Sequence, residues 1–289
     1  MPPVAVVTDT TGYLPVEVAE ANGIQLVSLY VNFGGERTER EADLTDYDAF
    51  YEELRTADEL PTTSQPSVGD FIAAFEPLLA DGRDVVSIHL SGGISGTVES
   101  ARQAKEALER EGRGGERVHV LDSSTAAGGL GLVALAAARR AQGGGDAEAV
   151  LSAAREAREE LKMWFAIDTL EFLKRSGRIG AASAWIGSTL KIKPILTLEA
   201  EITPVERVRT SARMFERMVD YARQRESSGA NGWVVQHIQA GEHATRLADE
   251  CRTIFGREPV FFSEVGPVLG AHTGPGLLGV GSIPERFLA

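Results

Sequence analysis

The first half of the chain alternates short β-branched segments with helical patterns, and this alternation restricts the possible folds more than any other feature. Strands are predicted at residues 4–8, 26–33, 84–90 and 117–121. The intervening helices are predicted to begin at residues 15, 45 and 67 and to cover residues 97–110 and 126–141. Parallel strands require crossovers of this kind, which place helices on the faces of the sheet. The pattern therefore predicts an N-terminal α/β domain with a mostly parallel sheet.

A glycine run and a change of rhythm mark the second half. Gly143, Gly144 and Gly145 precede Asp146, which is a favourable N-cap residue. We place a domain boundary near residue 157, which gives an α/β domain at residues 1–157 and an α+β domain at residues 158–289. The second domain is predicted from strands at 163–167, 233–238 and 260–263, a hairpin of 192–198 with 202–205, and helices at 211–225 and 242–255.

The charge balance excludes some classes of partner. The chain has 42 acidic and 29 basic residues, a formal net charge of −13. Proteins that grip nucleic acid or an anionic bilayer carry a net basic surface instead. The acids are concentrated, since residues 1–60 contain thirteen acidic and three basic residues. We therefore expect neither nucleic acid nor a membrane surface as the main partner.

The remaining composition indicates a cytoplasmic protein without a metal or an organic cofactor. The longest apolar run, residues 128–138, is too short to span a bilayer and predicts a buried helix, so stable membrane insertion is not expected. No signal-peptide pattern is visible at the N-terminus. The single cysteine, Cys251, excludes an internal disulfide and fits a reducing compartment. Five scattered histidines without metal-ligand spacing argue against a structural zinc site.

Residues 61–67 form the first of four loops with more polar detail than folding requires. Thr62 and Thr63 stand just ahead of a helix predicted to begin at Ser67. The alternative reading is a solvated turn with Ser67 as N-cap.

Residues 91–97 form the second loop, a glycine-rich turn between a predicted strand and a helix. Its free N–H groups and the helix dipole suit a carboxylate or a phosphate. The loop, which contains Ser95 and Gly96, follows the carboxyl end of a predicted parallel strand, where open α/β sheets bind ligands. It lacks the P-loop and nucleophile-elbow patterns. The alternative is a tight turn with Ser95 as N-cap.

The third loop, residues 174–180, is basic. It contains Lys174, Arg175 and Arg178 and lies in a window, residues 172–198, with five basic residues and no acidic residue. A basic cluster is usually a solvated face. In a chain of net charge −13, this window is nevertheless a candidate surface for an anion or a partner.

The fourth loop, residues 270–276, places His272 among glycines that allow close approach of a ligand. An imidazole that titrates near neutrality is a natural partner for a carboxylate, although a structural hydrogen-bonding role is the alternative. Asp9 and Asp122 each end a predicted strand and are moderate candidates for a catalytic base, but such aspartates commonly cap turns. No Ser/His/Asp set is recognisable.

Taken together and in this order, the loops resemble the DegV family, whose characterised members act as the fatty-acid-binding subunits of bacterial fatty acid kinase. The resemblance runs essentially from end to end and departs at Gly92, where the family often has a second serine. The residues that carry it are 7–11 (VTDTT), 63–66 (TSQP), 90–97 (LSGGISGT), 174–180 (KRSGRIG), 191–194 (KIKP), 208–210 (VRT) and 271–274 (AHTG).

The resemblance implies a two-domain fold in which an acyl chain lies in an apolar tunnel between or within the domains. It implies that Thr63 and Ser95 hydrogen-bond the carboxylate and that His272 completes the cage. Arg178 and Arg209 would supply positive charge to the surrounding network.

Thr62 and Gly96 are possible secondary contacts at the same end of the tunnel. The ligand would be a long-chain fatty acid, held without a cofactor. The implied partner is the catalytic subunit of fatty acid kinase, for which Lys174 and Arg175 are the candidate docking residues. The chain itself would then not be an enzyme.

Two other functions remain open. The chain could be an enzyme acting on a small phosphorylated or acidic metabolite, with the Ser95 loop as phosphate cradle and Asp9 or Asp122 as base. A purely regulatory protein that senses lipid is a further alternative, which the sequence does not separate from the first.

Overall fold

Strand pairing organises the chain into sheets that can be followed in order. The computed structural model describes residues 3–35, 37–57, 59–185 and 192–289. In this part of the chain the strands are β1 (Val4–Asp9), β2 (Ile24–Val27), β3 (Tyr30–Asn32), β4 (Thr38–Arg40), β5 (Thr62–Ser64), β6 (Asp84–His89), β7 (Val118–Asp122), β8 (Lys162–Ala166), β9 (Lys193–Glu199), β10 (Glu201–Val208), β11 (Gly232–His237), β12 (Phe261–Glu264) and β13 (Leu278–Ile283). The α-helices are α1 (Val16–Ala21), α2 (Tyr47–Thr56), α3 (Val68–Ala80), α4 (Thr97–Arg110), α5 (Ala127–Gln142), α6 (Ala147–Glu160), α7 (Glu171–Arg175), α8 (Ser211–Ser227), α9 (Gly241–Phe255) and α10 (Pro267–Thr273).

The first sheet is four-stranded, has the order β2-β1-β6-β7 and is parallel throughout. Val6 lies opposite Ile24 on one side and Val86 on the other. Its strands are rich in β-branched residues because these pack well on a pleated, buried surface, and all six residues of β1 are buried. The predicted α/β architecture with a mostly parallel sheet is therefore confirmed.

The strand predicted at residues 26–33 is wrong in its extent. β2 ends at Val27, and β3 belongs to a separate antiparallel sheet of order β4-β3-β5. Between them the buried Ser28 hydroxyl donates to the Leu29 carbonyl and accepts from the Ala42 N–H. Such local side-chain bonds compete with a strand ladder, so the chain leaves the first sheet here. The sequence predicts neither β4 nor β5.

The second large sheet has the order β10-β9-β8-β13-β11-β12, and only its β11–β12 pair is parallel. The predicted hairpin is present as β9 and β10, with Ala200 at its tip in the left-handed region at φ +68°. The helices predicted at residues 211–225 and 242–255 are present as α8 and α9. The second half therefore has the predicted α+β character.

The sequence does not predict β13, although this strand lies inside the second sheet between β8 and β11. Its Gly279 and Gly281 weaken the strand pattern. A Cβ on Gly281 would lie 2.9 Å from Cγ of Met163, so the glycine is needed where β8 packs closely alongside.

Helix α5 lies between the two large sheets, in contact with β1 and β6 on one side and with β11 and β13 on the other. Every residue from 128 to 138 is buried, as predicted for this run. Small residues make the position possible, because a Cβ on Gly131 would lie 2.8 Å from Cζ of Phe261 and 3.2 Å from the Gly12 carbonyl oxygen. None of the described helices combines the length and the apolar character needed to cross a bilayer.

The division into domains at residue 157 stays a prediction. Residue 157 lies in the last turn of α6, which packs on β6 and β7, and the second sheet begins at Lys162. The contacts of α5 with both sheets mean that the proposed domains would share one buried helix.

Gly131→Val tests whether small residues in α5 hold the sheets at their spacing. We expect the substitution to lower the free energy of unfolding by about 1–3 kcal/mol, since overpacking forces a buried helix and its neighbours apart. Urea unfolding measures the change. In the control, Gly143→Ala, the added Cβ meets nothing nearer than 3.5 Å, and a change below about 0.5 kcal/mol is expected. An unchanged midpoint for Gly131→Val would contradict the packing argument.

Candidate functional site

A largely apolar cavity lies where the two large sheets and α10 meet. Its space, including the open mouth, is about 1010 Å³, which is comparable with the upper end of small-molecule sites, about 300–1,000 Å³. Apolar side chains that line it come from both halves of the chain and include Leu29, Leu90, Phe165, Leu198, Val268 and Leu277. Its polar lining residues are Thr63, Gln65, Ser95, Thr125, Arg178, Gln236, His272 and Thr273.

The order of the first sheet explains where the cavity opens. Strand order reverses between β1 and β6, and ligands of open α/β sheets bind outside the carboxyl ends of strands at such a point. The loop after β6 supplies Leu90, Ile94, Ser95 and Gly96 to the wall. This is the location predicted for the glycine-rich loop.

Ser95 is not the N-cap of α4, contrary to the alternative reading of its loop. The N-cap is Gly96, which has no side chain to cap the helix. The Ser95 hydroxyl oxygen instead accepts from the Thr97 N–H at 3.3 Å and lies 2.9 Å from the Thr97 hydroxyl. A Cβ on Gly96 would lie 3.0 Å from Nε2 of Gln65, so that side chain closes the wall behind Gly96.

His272 and Thr63 meet across the cavity wall, with Thr63 Oγ1 and His272 Nε2 2.7 Å apart. The sequence predicts both residues in loops, and this is wrong. Thr63 lies in β5, and His272 lies in the last turn of α10. The glycines near His272 resemble a loop in the sequence, but in the structure they lie within this helix or next to it. Strand alternation sends Thr62 the other way, and its exposed hydroxyl oxygen accepts from Asn32 Nδ2 at 3.4 Å.

Burial and the positive charge of Arg178 lower the pKa of His272 to about 4. The imidazole is therefore neutral at physiological pH, which corrects the expectation that it titrates near neutrality. Within the described residues, His272 Nδ1 is buried and has no hydrogen-bond partner.

Arg178 lines the cavity without an acidic partner among the residues that the structure describes. It is partly buried, and its Nη1 donates to the Ser176 carbonyl at 2.6 Å. The acid-free window does not explain this by itself, since Lys193 of the same window forms an ion pair with Asp168, outside the window. A guanidinium in a largely apolar wall is stabilised by an anion, because charge removed from water requires an opposite charge or hydrogen bonds.

Other predicted residues do not face the cavity. Arg209 is exposed just after β10 and is not among the described lining residues. Lys174 and Arg175 are exposed in α7, while Leu173 between α7's polar residues is buried and lines the cavity. Lys191, one of the five bases of the window, lies outside the described residues.

Asp9 and Asp122 serve the backbone. Asp9 is buried and accepts from the Leu90 N–H at 3.0 Å and the Thr11 N–H at 3.1 Å. Asp122 accepts from the N–H groups of Gly92 and Ser124. Neither is among the described residues that line the cavity. Both therefore fit the reading of strand-end aspartates as turn caps.

The Gly92 departure also acquires a structural meaning. A Cβ on Gly92 would lie 2.9 Å from Oδ2 of Asp122, so a side chain there would meet that carboxylate. Gly92 is not among the described lining residues.

A hydrogen-bonded Ser/His/Asp set does exist, although the sequence does not reveal it. Ser87 Oγ lies 2.6 Å from His89 Nε2, and His89 Nδ1 lies 3.0 Å from Asp9 Oδ2. All three side chains are fully buried, and Phe71 packs edge-on against His89. Because none of them lines a described cavity, the set is a structural network under the loop that follows β6.

Gln236 is a lining residue that sequence reasoning missed. It is fully buried in β11, its Oε1 accepts from the Gly128 N–H, and its Nε2 donates to Ser263 Oγ at 2.9 Å. The N-cap of α5, Ala126, has no side-chain acceptor, so Gln236 satisfies the start of that helix from the other sheet. An amide in the middle of an apolar strand is the signal that could have identified it.

The tip of the β9–β10 hairpin closes one side of the cavity. The Ser91 hydroxyl donates to the Ala200 carbonyl, and the Ala200 N–H donates to the Ser124 carbonyl at 2.9 Å. A Cβ on Gly93 would overlap the Ala200 carbonyl, so glycine is required at this contact. Leu198 and Ile202, on either side of the tip, line the cavity. In the part of the chain that is described, no group of three or more acidic, histidine or cysteine side chains is placed to hold a metal ion.

Arg178→Met tests the electrostatic coupling to His272. We expect the pKa of His272 to rise from about 4, because removal of a nearby positive charge makes the imidazolium less costly. NMR titration of the imidazole, on protein extracted free of bound small molecules, measures the change. The control Arg175→Met removes an exposed charge from the same segment, and its pKa should match the wild type. A His272 pKa unmoved by Arg178→Met would contradict the coupling.

Comparison with known proteins gives one consistent family. The model described as "Uncharacterised protein, DegV family" matches residues 3–285. A DegV domain-containing protein of Halalkalibacterium halodurans is 38% identical over 289 residues, which is 99% of this chain and 100% of that protein.

Two solved structures agree with this result. A DegV family protein from Thermus thermophilus, described for its fatty acid binding, is 33% identical with a TM-score of 0.85, over 98% of this chain and 100% of its own. DegV from Bacillus subtilis, described as a fatty acid binding protein, is 35% identical with a TM-score of 0.86, also over 98% of this chain and 100% of its own. With matches along nearly its whole length, the chain belongs to the DegV family.

Proposed function

We propose that this chain binds a long-chain fatty acid, with the acyl chain along the apolar walls and the carboxylate at the end lined by Thr63, Ser95, Arg178 and His272. We call these four residues the head-group cluster. The observation that carries the proposal is the Arg178 guanidinium, which lines an apolar cavity without an acidic partner among the described residues. Two similar proteins that are described as binding fatty acids support it.

Head and tail would contribute differently to binding. Burial of a sixteen-carbon chain, at about 0.8 kcal/mol per methylene, gives about 11 kcal/mol before the costs of association. A hydrogen bond to a charged group contributes about 1.5–3 kcal/mol net. The acyl chain therefore supplies most of the affinity, and the head-group cluster supplies orientation and selectivity for an acid.

The neutral state of His272 suits this arrangement. When His272 Nε2–H donates to Thr63 Oγ1, the threonine proton is free to donate to the carboxylate. The Ser95 hydroxyl offers a further donor, and Arg178 offers a charge-assisted bond. A bound carboxylate would also raise the pKa of His272, because a negative charge stabilises the imidazolium.

We further propose that the chain presents the carboxylate to a separate kinase, which forms an acyl-phosphate. Hydroxyl, imidazole and guanidinium donors can hold either a carboxylate or an acyl-phosphate, so one site serves substrate and product. The exposed Lys174 and Arg175 lie in the segment that also supplies Leu173 and Arg178 to the cavity, which supports this surface as the docking site. The buried Cys251 is consistent with action in a reducing cytoplasm.

Contacts of Arg209 and Thr62 with the carboxylate stay proposals that the cavity lining does not support, because both residues are exposed and neither is among the described lining residues. The alternative of an enzyme for a small phosphorylated metabolite draws no support from Asp9 and Asp122, whose oxygens accept backbone hydrogen bonds. We therefore propose binding rather than catalysis.

Removal of the Arg178 charge tests the binding proposal. Native mass spectrometry of wild-type protein should show a bound fatty acid, and Arg178→Met should weaken the affinity for stearate by about tenfold to a hundredfold, since one charged hydrogen bond is lost. Titration with delipidated protein measures the affinity. Arg175→Met, which removes an exposed charge nearby, is the matched control and should bind like the wild type. Absence of any extractable acyl lipid, together with no stearate binding, would overturn the proposal.

Charge reversal at the exposed pair tests the docking surface. The double substitution Lys174→Glu with Arg175→Glu should lower acyl-phosphate formation by a fatty acid kinase catalytic subunit at least about tenfold, because like charges across an interface disfavour docking. Stearate affinity should stay unchanged. Arg102→Glu, on the exposed face of α4, is the control for a general charge effect. Unchanged turnover with the double variant would remove this surface from the proposal.

A further inference from the structure

Glu41 is a buried carboxyl group beside α10, outside the described lining of the cavity. It lies in a single 3₁₀ turn, Glu41–Asp43, and only 3% of it is exposed. One carboxyl oxygen, Oε1, accepts from the Val268 N–H and from the Tyr13 hydroxyl, each at 2.8 Å. The other oxygen accepts from the Thr10 hydroxyl. Both oxygens of the side chain are thus bonded, and the three bonds join Glu41 to two segments that are distant in the sequence, residues 10–13 and the start of α10.

These bonds supply what the start of α10 lacks. Gly266 is its N-cap and has no side chain to accept from the first N–H groups. Glu41 takes the Val268 N–H, and the Tyr13 hydroxyl oxygen accepts from the Leu269 N–H at 3.1 Å. A helix of seven residues has little stability of its own, so its position depends on such contacts.

The helix that Glu41 caps also carries the head-group cluster's histidine. Val268 and Leu269 line the cavity at the start of α10, and His272 bonds Thr63 about one turn later. A shift or rotation of α10 would move His272 away from Thr63. We propose that Glu41 is a positioning residue, whose carboxyl group caps α10 and so sets His272 opposite Thr63 for recognition of the ligand's carboxylate. This inference rests on the proposed fatty acid binding.

The groups around Glu41 make its contribution to stability depend on pH. The titratable groups that face it are Asp9 on β1, Tyr13, and Tyr47 and Tyr51 on α2, while Glu264 on β12 acts on the same two tyrosines. No cation of the described chain forms an ion pair with it. Burial, aided by Asp9, raises the pKa of Glu41 to about 7, although its hydrogen bonds oppose the shift.

Glu41 stabilises the folded protein more at low pH than at high pH. Since the folded-state pKa lies above the usual 4.5, the folded protein holds this proton more tightly than the unfolded chain. The contribution of Glu41 to stability is complete below about pH 4.5 and is lost as the pH rises through about 7. Glu41→Gln keeps an acceptor for the Val268 N–H and places a donor toward Thr10, so it imitates the protonated group and removes the titration.

The test compares an acid with an alcohol of equal chain length. Dissociation constants for stearate and 1-octadecanol are measured on delipidated full-length variants by displacement of a dansyl-labelled fatty acid. Glu41→Ala should reduce the preference for stearate about tenfold, the equivalent of about one hydrogen bond, while octadecanol binding changes little. Glu41→Gln should retain the preference. The control Glu39→Gln removes a partly exposed carboxyl group two residues away and should also retain it.

Each outcome decides the matter. Failure of the wild type to bind stearate overturns the proposed function and this inference together. If the wild type binds but Glu41→Ala, folded by circular dichroism, keeps its preference for stearate, the positioning role alone is overturned. If Glu41→Ala does not fold, Glu41→Leu, which keeps a side chain of similar size but offers no acceptor to the Val268 N–H, decides in the same way. The melting temperature of Glu41→Gln minus that of the wild type should increase between pH 5 and pH 8. An equal difference at the two pH values would refute the titration of Glu41.

Discussion

The structure depends on the burial of one small-residue helix between two sheets. α5 can lie there only because Gly128, Gly129 and Gly131 leave room for neighbouring side chains, among them Val234 and Phe261 of the second sheet and Leu14 and Leu161 of adjoining segments. The separation this helix imposes leaves the space beyond its first turn unfilled, and Ala126 and Ala127 line the cavity at that point. The cavity is therefore a consequence of how the sheets are held apart. Its walls inherit the apolar character of the core.

Polar groups enter this apolar space at few places, and most of them are occupied. Gln236 is saturated by Gly128 and Ser263, and Ser95 bonds Thr97. Arg178 differs because it brings a full charge with only a carbonyl bonded to it among the described groups. A positive charge in such apolar surroundings costs free energy unless an anionic ligand pairs with it. Burial and, secondarily, the same charge lower the pKa of His272 to about 4 and keep it neutral, so the two side chains do not repel each other as cations.

Much of the architecture could be predicted because its signals are local. β-branched strands, helix caps such as Ser67 with Asp70, and the glycine-rich turn after β6 are all readable within a few residues. Four predicted site residues, Thr63, Ser95, Arg178 and His272, line one cavity. The sequence identified them because they lie in motifs that resemble those of the family. Thr62 and Thr63 point to opposite faces because they are neighbours in β5. This strand is short and polar, so the sequence does not predict it.

Features that depend on distant contacts were not predictable. The glycines near His272 are typical of a loop in the sequence. In the structure, glycine is needed at positions 266 and 270 because the rings of Tyr13, Tyr47 and Tyr51 pack against this part of the chain. Two glycines weaken the strand pattern of β13, and one of them, Gly281, is required by close packing against Met163 of β8. Glu41 resembles the other acids of the first sixty residues, and only the fold brings it to Val268, 227 positions away.

The hairpin tip at Ala200 has a kinetic consequence. It closes the cavity by hydrogen bonds to Ser91 and Ser124, with a non-glycine residue held in the left-handed region. Such a conformation is less favourable for alanine than for glycine, so the closed tip stores a little strain that opening would relieve. Local opening of this kind needs far less free energy than global unfolding. If the protein binds a fatty acid as proposed, opening of the hairpin tip would give the acyl chain a way out at one edge of the wall, and the residence time of the ligand would depend on this opening.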